Sequence, residues 1–272
     1  MITPNASSGL AFRIIELDEA ASTNEVALRL AASGDCGPLW VSAARQTAGR
    51  GRSGRVWMSL QGNLQASLLL TPGCDVAHAA ELSLVAGIAI VDAVRAAAGA
   101  PIAGLRVKWP NDILIAGAKI GGVLIESSRV RGGSTLAVVV GIGLNLASAP
   151  DDHSRPVTHL AAHGAAIDRS AMLEHLSAAM ACWIEVWDNG RGFAAVRAAW
   201  LERSGPAGER MSVNTGRGSV EGRFVGLDVT GALVMADGAG REQLFTFGDV
   251  TLLAAGDSGG EPGNNGAVCA ER

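Results

Sequence analysis

Residues 45–57, RQTAGRGRSGRVW, hold four arginines, three glycines and one tryptophan, and no acid. Glycines let backbone amides approach phosphate oxygens, and arginines present forked donors to phosphate or carboxylate. Trp57 could stack on a base. The stretch has neither helical nor strand periodicity, so it reads as a loop. Taken alone, it suits a phosphate cradle and a solvated surface attractive to nucleic acid equally well. A second cluster, Lys108-Trp109-Pro110-Asn111-Asp112, brings a lysine, an amide and a carboxylate to a strand end. Those groups could bind phosphate and a divalent cation, because Mg²⁺ prefers oxygen ligands and keeps its waters. An ordinary turn with a surface ion pair explains them as well. Lys119 opens a strand that carries Gly121 and Gly122, and Gly141-x-Gly143-x-Asn145 interrupts an apolar one. Glycines inside strands suggest close approach of a backbone or a ligand.

Several chemistries are excluded. Gly49-x-Gly51-x-x-Gly54 matches the dinucleotide fingerprint, with Asp75 downstream, but that fold needs a helix right after the third glycine. Here only residues 55–62 separate the loop from the next strand. No lysine–serine pair of a P-loop and no nucleophile elbow occurs. The histidines lack metal-ligand spacing: His159 and His163 are flanked by Pro156 and Gly164. Cys36, Cys74, Cys182 and Cys269 form no Cys-x-x-Cys pair and read as free thiols of a reducing cytosol.

Strands are expected near residues 10–17, 39–44, 63–71, 105–109, 113–115 and 120–126. The apolar run at 135–146 is expected to be a central strand. Ser22-Thr23-Asn24-Glu25 has the spacing of a capping box for a helix to about Ser33, ended by Gly34. Further helices are expected at 75–98, 168–187 and 192–202. Trp183 and Trp187, one turn apart, read as core. After Ser204-Gly205-Pro206 the pattern changes to short strands with glycine turns, a small β-barrel. This divides the chain into a larger mixed domain (1–206), a barrel (207–254) and a tail expected to be disordered (255–272).

The 272 residues are 48% hydrophobic and 18% charged, enough for a normal core. The formal charge of −4 argues against a general nucleic-acid binder. No signal peptide is visible, and 82–98, interrupted by Asp92 and Arg95, reads as a buried helix rather than a membrane span. The expected location is cytoplasmic, without membrane or DNA as partner.

The order of motifs is STN at 22–24, Q-x-x-GRGR-x-GR-x-W at 46–57, KWPND at 108–112, K-x-GG-x-L-x-E at 119–126 and G-x-G-x-N at 141–145, before the small barrel. This resembles the biotin protein ligases, over residues 10 to about 254. Lipoate ligases share the fold but are not expected to carry both long motifs. The resemblance implies an α+β fold: a mixed-sheet, class II synthetase-like catalytic domain followed by an SH3-like barrel. It implies that biotin and MgATP give biotinyl-5′-AMP, which passes biotin to a lysine of a biotin carboxyl carrier protein or a biotinyl domain of a carboxylase. It further implies that Ser22, Thr23, Asn24 and Gln46 line the ureido end of a biotin pocket. Arg50, Gly51 and Arg52 wrap the carboxylate and the phosphate, and Lys119 meets the carboxylate and then the adenylate. Arg55, Lys108, Asn111 and Asp112 fall on the ATP side, with Asp112 at the Mg²⁺, Trp57 near the adenine and Asn145 at the site's edge. Arg52, Lys119 and Lys108 carry catalysis. Some members of the family have an N-terminal DNA-binding winged helix. Here the pattern begins near Leu10, so a monofunctional ligase without repressor function is expected, as a monomer or homodimer.

The chemistry agrees with the residue types. Attack of a carboxylate on a phosphate brings two anions together, and fixed positive charge offsets the repulsion. No enzyme nucleophile is required, because the mixed anhydride is itself the activated species. It hydrolyses easily, so a loop that closes over it is useful.

Overall fold

The computed structural model describes residues 10–130, 134–151, 155–216 and 218–253. The expected tail at 255–272, with Cys269, lies outside the described residues. In chain order the elements begin β1 (Arg13–Ala20), α1 (Thr23–Ser33), β2 (Leu39–Gln46) and β3 (Leu64–Leu70). They continue α2 (Val76–Ala79), α3 (Leu82–Ala98), β4 (Arg106–Lys108), β5 (Asp112–Ile115), β6 (Ala118–Arg129) and β7 (Leu136–Leu144). Helices α4 (Arg169–Trp187) and α5 (Phe193–Glu202) follow, then β8 (Arg210–Asn214), β9 (Ser219–Leu227), β10 (Leu233–Ala236), β11 (Glu242–Phe245) and β12 (Asp249–Leu252).

The first seven strands form one mixed sheet in the order β1-β2-β3-β7-β6-β5-β4. Only β1 and β2 run parallel, joined through α1; every other pair is antiparallel. The apolar run in β7 therefore does lie at the centre. The antiparallel β2–β3 pair, joined by a loop without an α-helix, also disposes of the dinucleotide fingerprint, which needs a parallel crossover.

Strand alternation sorts the two faces. Leu64, Ala66 and Leu68 of β3 join the larger core with α3 and α4, whereas Leu69 packs with Ala27 and Ala31 of α1. Helix α3 is largely buried. Trp183 and Trp187 are core residues, and their indole N–H groups donate to Asp92 and Glu81. The segment Val76–Ala98 is long and apolar enough to cross a membrane by composition, but here it is mostly buried under the sheet. One helix is expected there; the structure breaks it at Ala80–Glu81, where i→i+3 bonds replace the helical ladder.

A second correction concerns α1. Ser22 holds the N-cap position with extended dihedrals, yet its side chain makes no cap bond, and Glu25 pairs outward with Arg29. The capping box is not formed. The Ser-Thr-Asn side chains are instead buried, and they face a cavity. The C-terminal end is as expected, with Gly34 left-handed at φ 109°.

The last five strands form an antiparallel sheet in the order β11-β10-β9-β8-β12, consistent with the SH3-like reading. It is fastened to the first sheet by a two-pronged Arg106–Glu209 ion pair and by Trp109 Nε1 donating to the Gly231 carbonyl.

Candidate active site

Two adjoining cavities open on the α1 side of the large sheet. The smaller, about 60 Å³, is lined by Ser22, Thr23, Asn24, Gln46, Trp57 and Gly141–Gly143. The larger, about 530 Å³, is lined by Lys108–Asp112, Pro156 and the Asp249–Leu252 edge of the second sheet. Arg52, Arg55, Asn111, Lys119 and Arg155 line both.

The smaller cavity is built on one hydrogen-bonded chain. The parallel β1–β2 pair sets Ala20 against Gln46 and so delivers the start of α1 beside the Gln46 amide. Gln46 Oε1 accepts from Thr23 N at 2.8 Å and Thr23 Oγ1 at 3.0 Å. Ser67 Oγ lies 2.7 Å from Thr23 Oγ1 and donates to Asn24 Oδ1 at 2.6 Å. Asn24 Nδ2 donates to Glu126 Oε2 at 2.8 Å, and the same oxygen accepts from Arg50 at 2.9 Å. A Cβ at Gly141 would overlap Asn24, and one at Gly143 would overlap the Trp57 ring. These strand glycines therefore make room for two side chains of the site.

The loop at 49–57 is folded back on itself. Trp57 N donates to Gly49 O at 3.0 Å and Gly51 N to Arg55 O at 2.7 Å, around a short 3₁₀ turn at Arg52–Gly54. Its arginines fan out to three anchors. Arg50 goes to Glu126, Arg52 to Asn111 Oδ1 at 3.2 Å, and Arg55 to Asp249 at 2.7 Å.

In the larger cavity Asp112 is clamped between Lys119 and Lys108, the latter at 2.9 Å. The tight β5–β6 hairpin, with Ala116 and Gly117 both at positive φ, brings Lys119 back onto Asp112. Gly122 leaves space for the Lys119 side chain, which passes about 3.1 Å from where its Cβ would stand. Burial raises the Asp112 carboxyl, but the two ammonium groups outweigh it and hold the group down to about 2. Burial pushes the Lys119 ammonium below its ordinary value, against the pull of Asp112. Burial likewise lowers the Arg52 guanidinium. Among the described residues, six cationic side chains line the two cavities, against two carboxylates, Asp112 and Asp249. That surplus suits a polyanion.

Among the described residues no three His, Cys, Asp or Glu side chains cluster as a metal site. The larger cavity offers two carboxylates, Asp112 held by two lysines and Asp249 held by Arg55. So sparse a donor set suits a Mg²⁺ that keeps waters and phosphate oxygens as ligands, and not a resident ion in a protein cage.

The structure brings together Ser22, Thr23, Asn24, Gln46, Arg50, Gly51, Arg52, Arg55, Trp57, Lys108, Asn111, Asp112 and Lys119. Two of the expected residues lie apart from the Lys108–Asp112 cleft. Trp57 stands against Gly143 in the smaller cavity, among the residues expected to hold biotin, and not in the Lys108–Asp112 cleft. Asn145 is 3% exposed and lines neither cavity. Its amide donates to Thr158 O at 3.1 Å and so holds the 156–158 segment that brackets Lys119.

Three residues of the site were not singled out from sequence. Ser67 was legible only as a polar residue inside an apolar strand. Glu126 closes the K-x-GG-x-L-x-E motif, but nothing there reveals its bond to Asn24. Arg155 lies in an irregular segment, and only the bridge between Lys119 and Val157 brings it to the cavities.

The comparisons with known proteins agree with this geometry. The model of the Biotin/lipoate A/B protein ligase family matches residues 20–145, and that of the Biotin protein ligase C terminal domain matches 207–253. A biotin–[acetyl-CoA-carboxylase] ligase of Paracoccus denitrificans is 44% identical over 227 residues, 81% of this chain and 93% of the relative. The chain belongs to the biotin protein ligases. A second member, from Mycobacterium tuberculosis, is 34% identical over 88% of this chain and 85% of its own. Among solved structures, a biotin protein ligase from Aquifex aeolicus in complex with biotin and ATP superposes with a TM-score of 0.74 at 27% identity, over 89% of this chain and 99% of that one.

Proposed function

We propose that the protein is an ATP-dependent ligase that activates biotin as biotinyl-5′-AMP and transfers it to a lysine of a biotin carboxyl carrier protein or a carboxylase's biotinyl domain. The observation that carries this reading is the junction of the two cavities. Lys119, Arg52 and Asn111 face both the Ser22–Asn24/Gln46 pocket and the Lys108/Asp112 cleft. A ring held in the first would present its carboxylate there to a phosphate held in the second.

In the first step an oxygen of the biotin carboxylate attacks the α-phosphorus, the bond to the β-phosphate bridge breaks, and pyrophosphate leaves. Arg50, Arg52 and Lys119 offset the charge of the two approaching anions. Lys108 and Arg55 face the phosphates, and nucleotide binding draws Lys108 and Lys119 from Asp112 toward them. Asp112 would meet a Mg²⁺ carried in on ATP, and the ion would shield phosphate charge there. In the second step the carrier lysine's amine attacks the acyl carbon, AMP leaves with the phosphate oxygen, and the amine's proton passes to solvent. The folded 49–57 loop excludes water from the anhydride meanwhile.

The direct test incubates the protein with biotin, MgATP and a biotinyl carrier domain and seeks a biotin-modified lysine by mass spectrometry. The family model also spans lipoate ligases. The buried hydrogen-bonding groups of the smaller cavity favour a urea over an apolar dithiolane. Isothermal titration showing tight lipoate and silent biotin would reverse that choice.

A further inference from the structure

Gln65 is 1% exposed, yet neither its amide oxygen nor its amide nitrogen has a hydrogen-bond partner. It sits in the middle of the large sheet, opposite Ala43 on β2 and Gly143 on β7. A buried amide with both ends unbonded is unfavourable, and leucine or methionine would fill the same volume without that cost. The other buried polar atoms without partners differ in kind. Trp40 Nε1 lies in the α3-side core, Ser42 is on that same face of β2, and Ser128 lies near the far end of β6.

Strand alternation puts Gln65 on the face that carries Ser67, two residues on, whose hydroxyl already belongs to the Thr23–Asn24 network. Gly143, its neighbour across the sheet, has no side chain and supports the Trp57 indole. The indole Nε1 is also buried and unbonded. Gln65 thus sets an unused amide one strand away from Gly143, the glycine at the wall of the smaller cavity on which the Trp57 indole, with its own unused N–H, rests, and its cross-strand neighbours Ala43 and Gly143 leave room beside it.

We infer that Gln65 is a specificity-determining residue whose amide pairs with the cyclic urea of the bound substrate, through a strip of the cavity that the Trp57 indole fills when no ligand is present. This deepens the ligase reading and rests on it. A primary amide offers an acceptor oxygen and N–H donors in one plane. A cyclic urea offers a carbonyl flanked by two N–H groups, so its edge meets the amide with one bond each way. A dithiolane or an alkyl chain offers neither and would leave the amide unbonded, which is how a buried polar group rejects an analogue.

The test is Gln65→Leu and Gln65→Met in the full chain. Biotin, lipoate and octanoate binding are measured by calorimetry and the melting temperature without ligand. The expected result is a loss of biotin affinity of about tenfold to a hundredfold, equal or tighter binding of octanoate, and a melting temperature no lower than wild type. The methionine variant keeps the unbranched shape of glutamine and guards against misfolding of the leucine one. Biotin affinity within twofold of wild type in a folded variant would overturn the assignment and leave the ligase reading standing. A lower melting temperature with equal losses for all three ligands would also overturn it, because Gln65 would then be structural. Wild type that ignores biotin but binds lipoate overturns both.

Discussion

Lys119 and Asp112 form an ion pair across the β5–β6 hairpin, and Lys108 completes it from the other side of the carboxylate. The Asp112 side chain is 12% exposed, so its charge is sustained by the two ammonium groups and little by water. The same lysines are the ones the proposed reaction needs. In the proposed reaction Asp112 would hold them in place until a phosphate or a carboxylate arrives to share them.

Removing one cation tests this. Lys119→Ala should leave a folded protein with biotin-dependent pyrophosphate exchange reduced about a hundredfold to a thousandfold, the scale of losing one charge stabiliser of a transition state. Arg52→Ala, which faces the same junction, should fall in the same range. Exchange at wild-type rate in either variant would refute the assigned roles.

Asp112 also carries a pH signature. Its folded value, about 2, lies below the ordinary 3.8, so it contributes stability that is fully present above 3.8 and is lost as pH falls through about 2. The contribution is about 2 kcal/mol on this linkage. Asp112→Asn should be less stable than wild type at pH 6, and the gap between the two urea-unfolding free energies should narrow between pH 4 and pH 2. A gap constant over that window would show that the carboxylate is not held by the lysines.

The strand glycines are predicted to be site residues by default of a side chain. Gly141→Ala would drive a methyl group into Asn24 and break its bonds to Ser67 and Glu126. Calorimetry should show biotin affinity lowered tenfold or more, with ATP binding changed far less. Equal loss for both ligands would point instead to general unfolding of β7.

The arginine loop is held by contacts that can be cut singly. Asp249→Ala removes the carboxylate that anchors Arg55. Trypsin should then cleave after Arg55 faster than in wild type when no ligand is present, and biotin with ATP should slow cleavage in both proteins. Unchanged cleavage in the variant would mean that the second sheet does not restrain the loop.

The sequence by itself determined the local matters. The central place of β7 followed from its nearly continuous apolar run. The sequence offers Asp168 or Ser170 as the cap of α4, and it is the Asp168 side chain that accepts from Ala171 N, at 2.8 Å. The cationic loop and the Lys108–Asp112 cluster could be named, because unusual residue types at close spacing are visible without a fold. What tertiary structure decided is which groups meet. Ser22 looked like a helix cap because local spacing is all a sequence displays. In the folded chain, the Gln46 amide lies against Thr23 and the pocket lies against Ser22. Ser67 and Glu126 became part of the site because β3, β6 and β7 are neighbours in the sheet while distant along the chain. Trp57 packs over Gly143, where β7 carries no side chain, and no local pattern in the sequence pairs the two. Gln65 was an unremarked residue in an apolar strand until burial and register showed an amide with nothing to bond. Hydrogen bonds between strands are set by register, which sums many contacts far apart in sequence, and no local pattern encodes that sum.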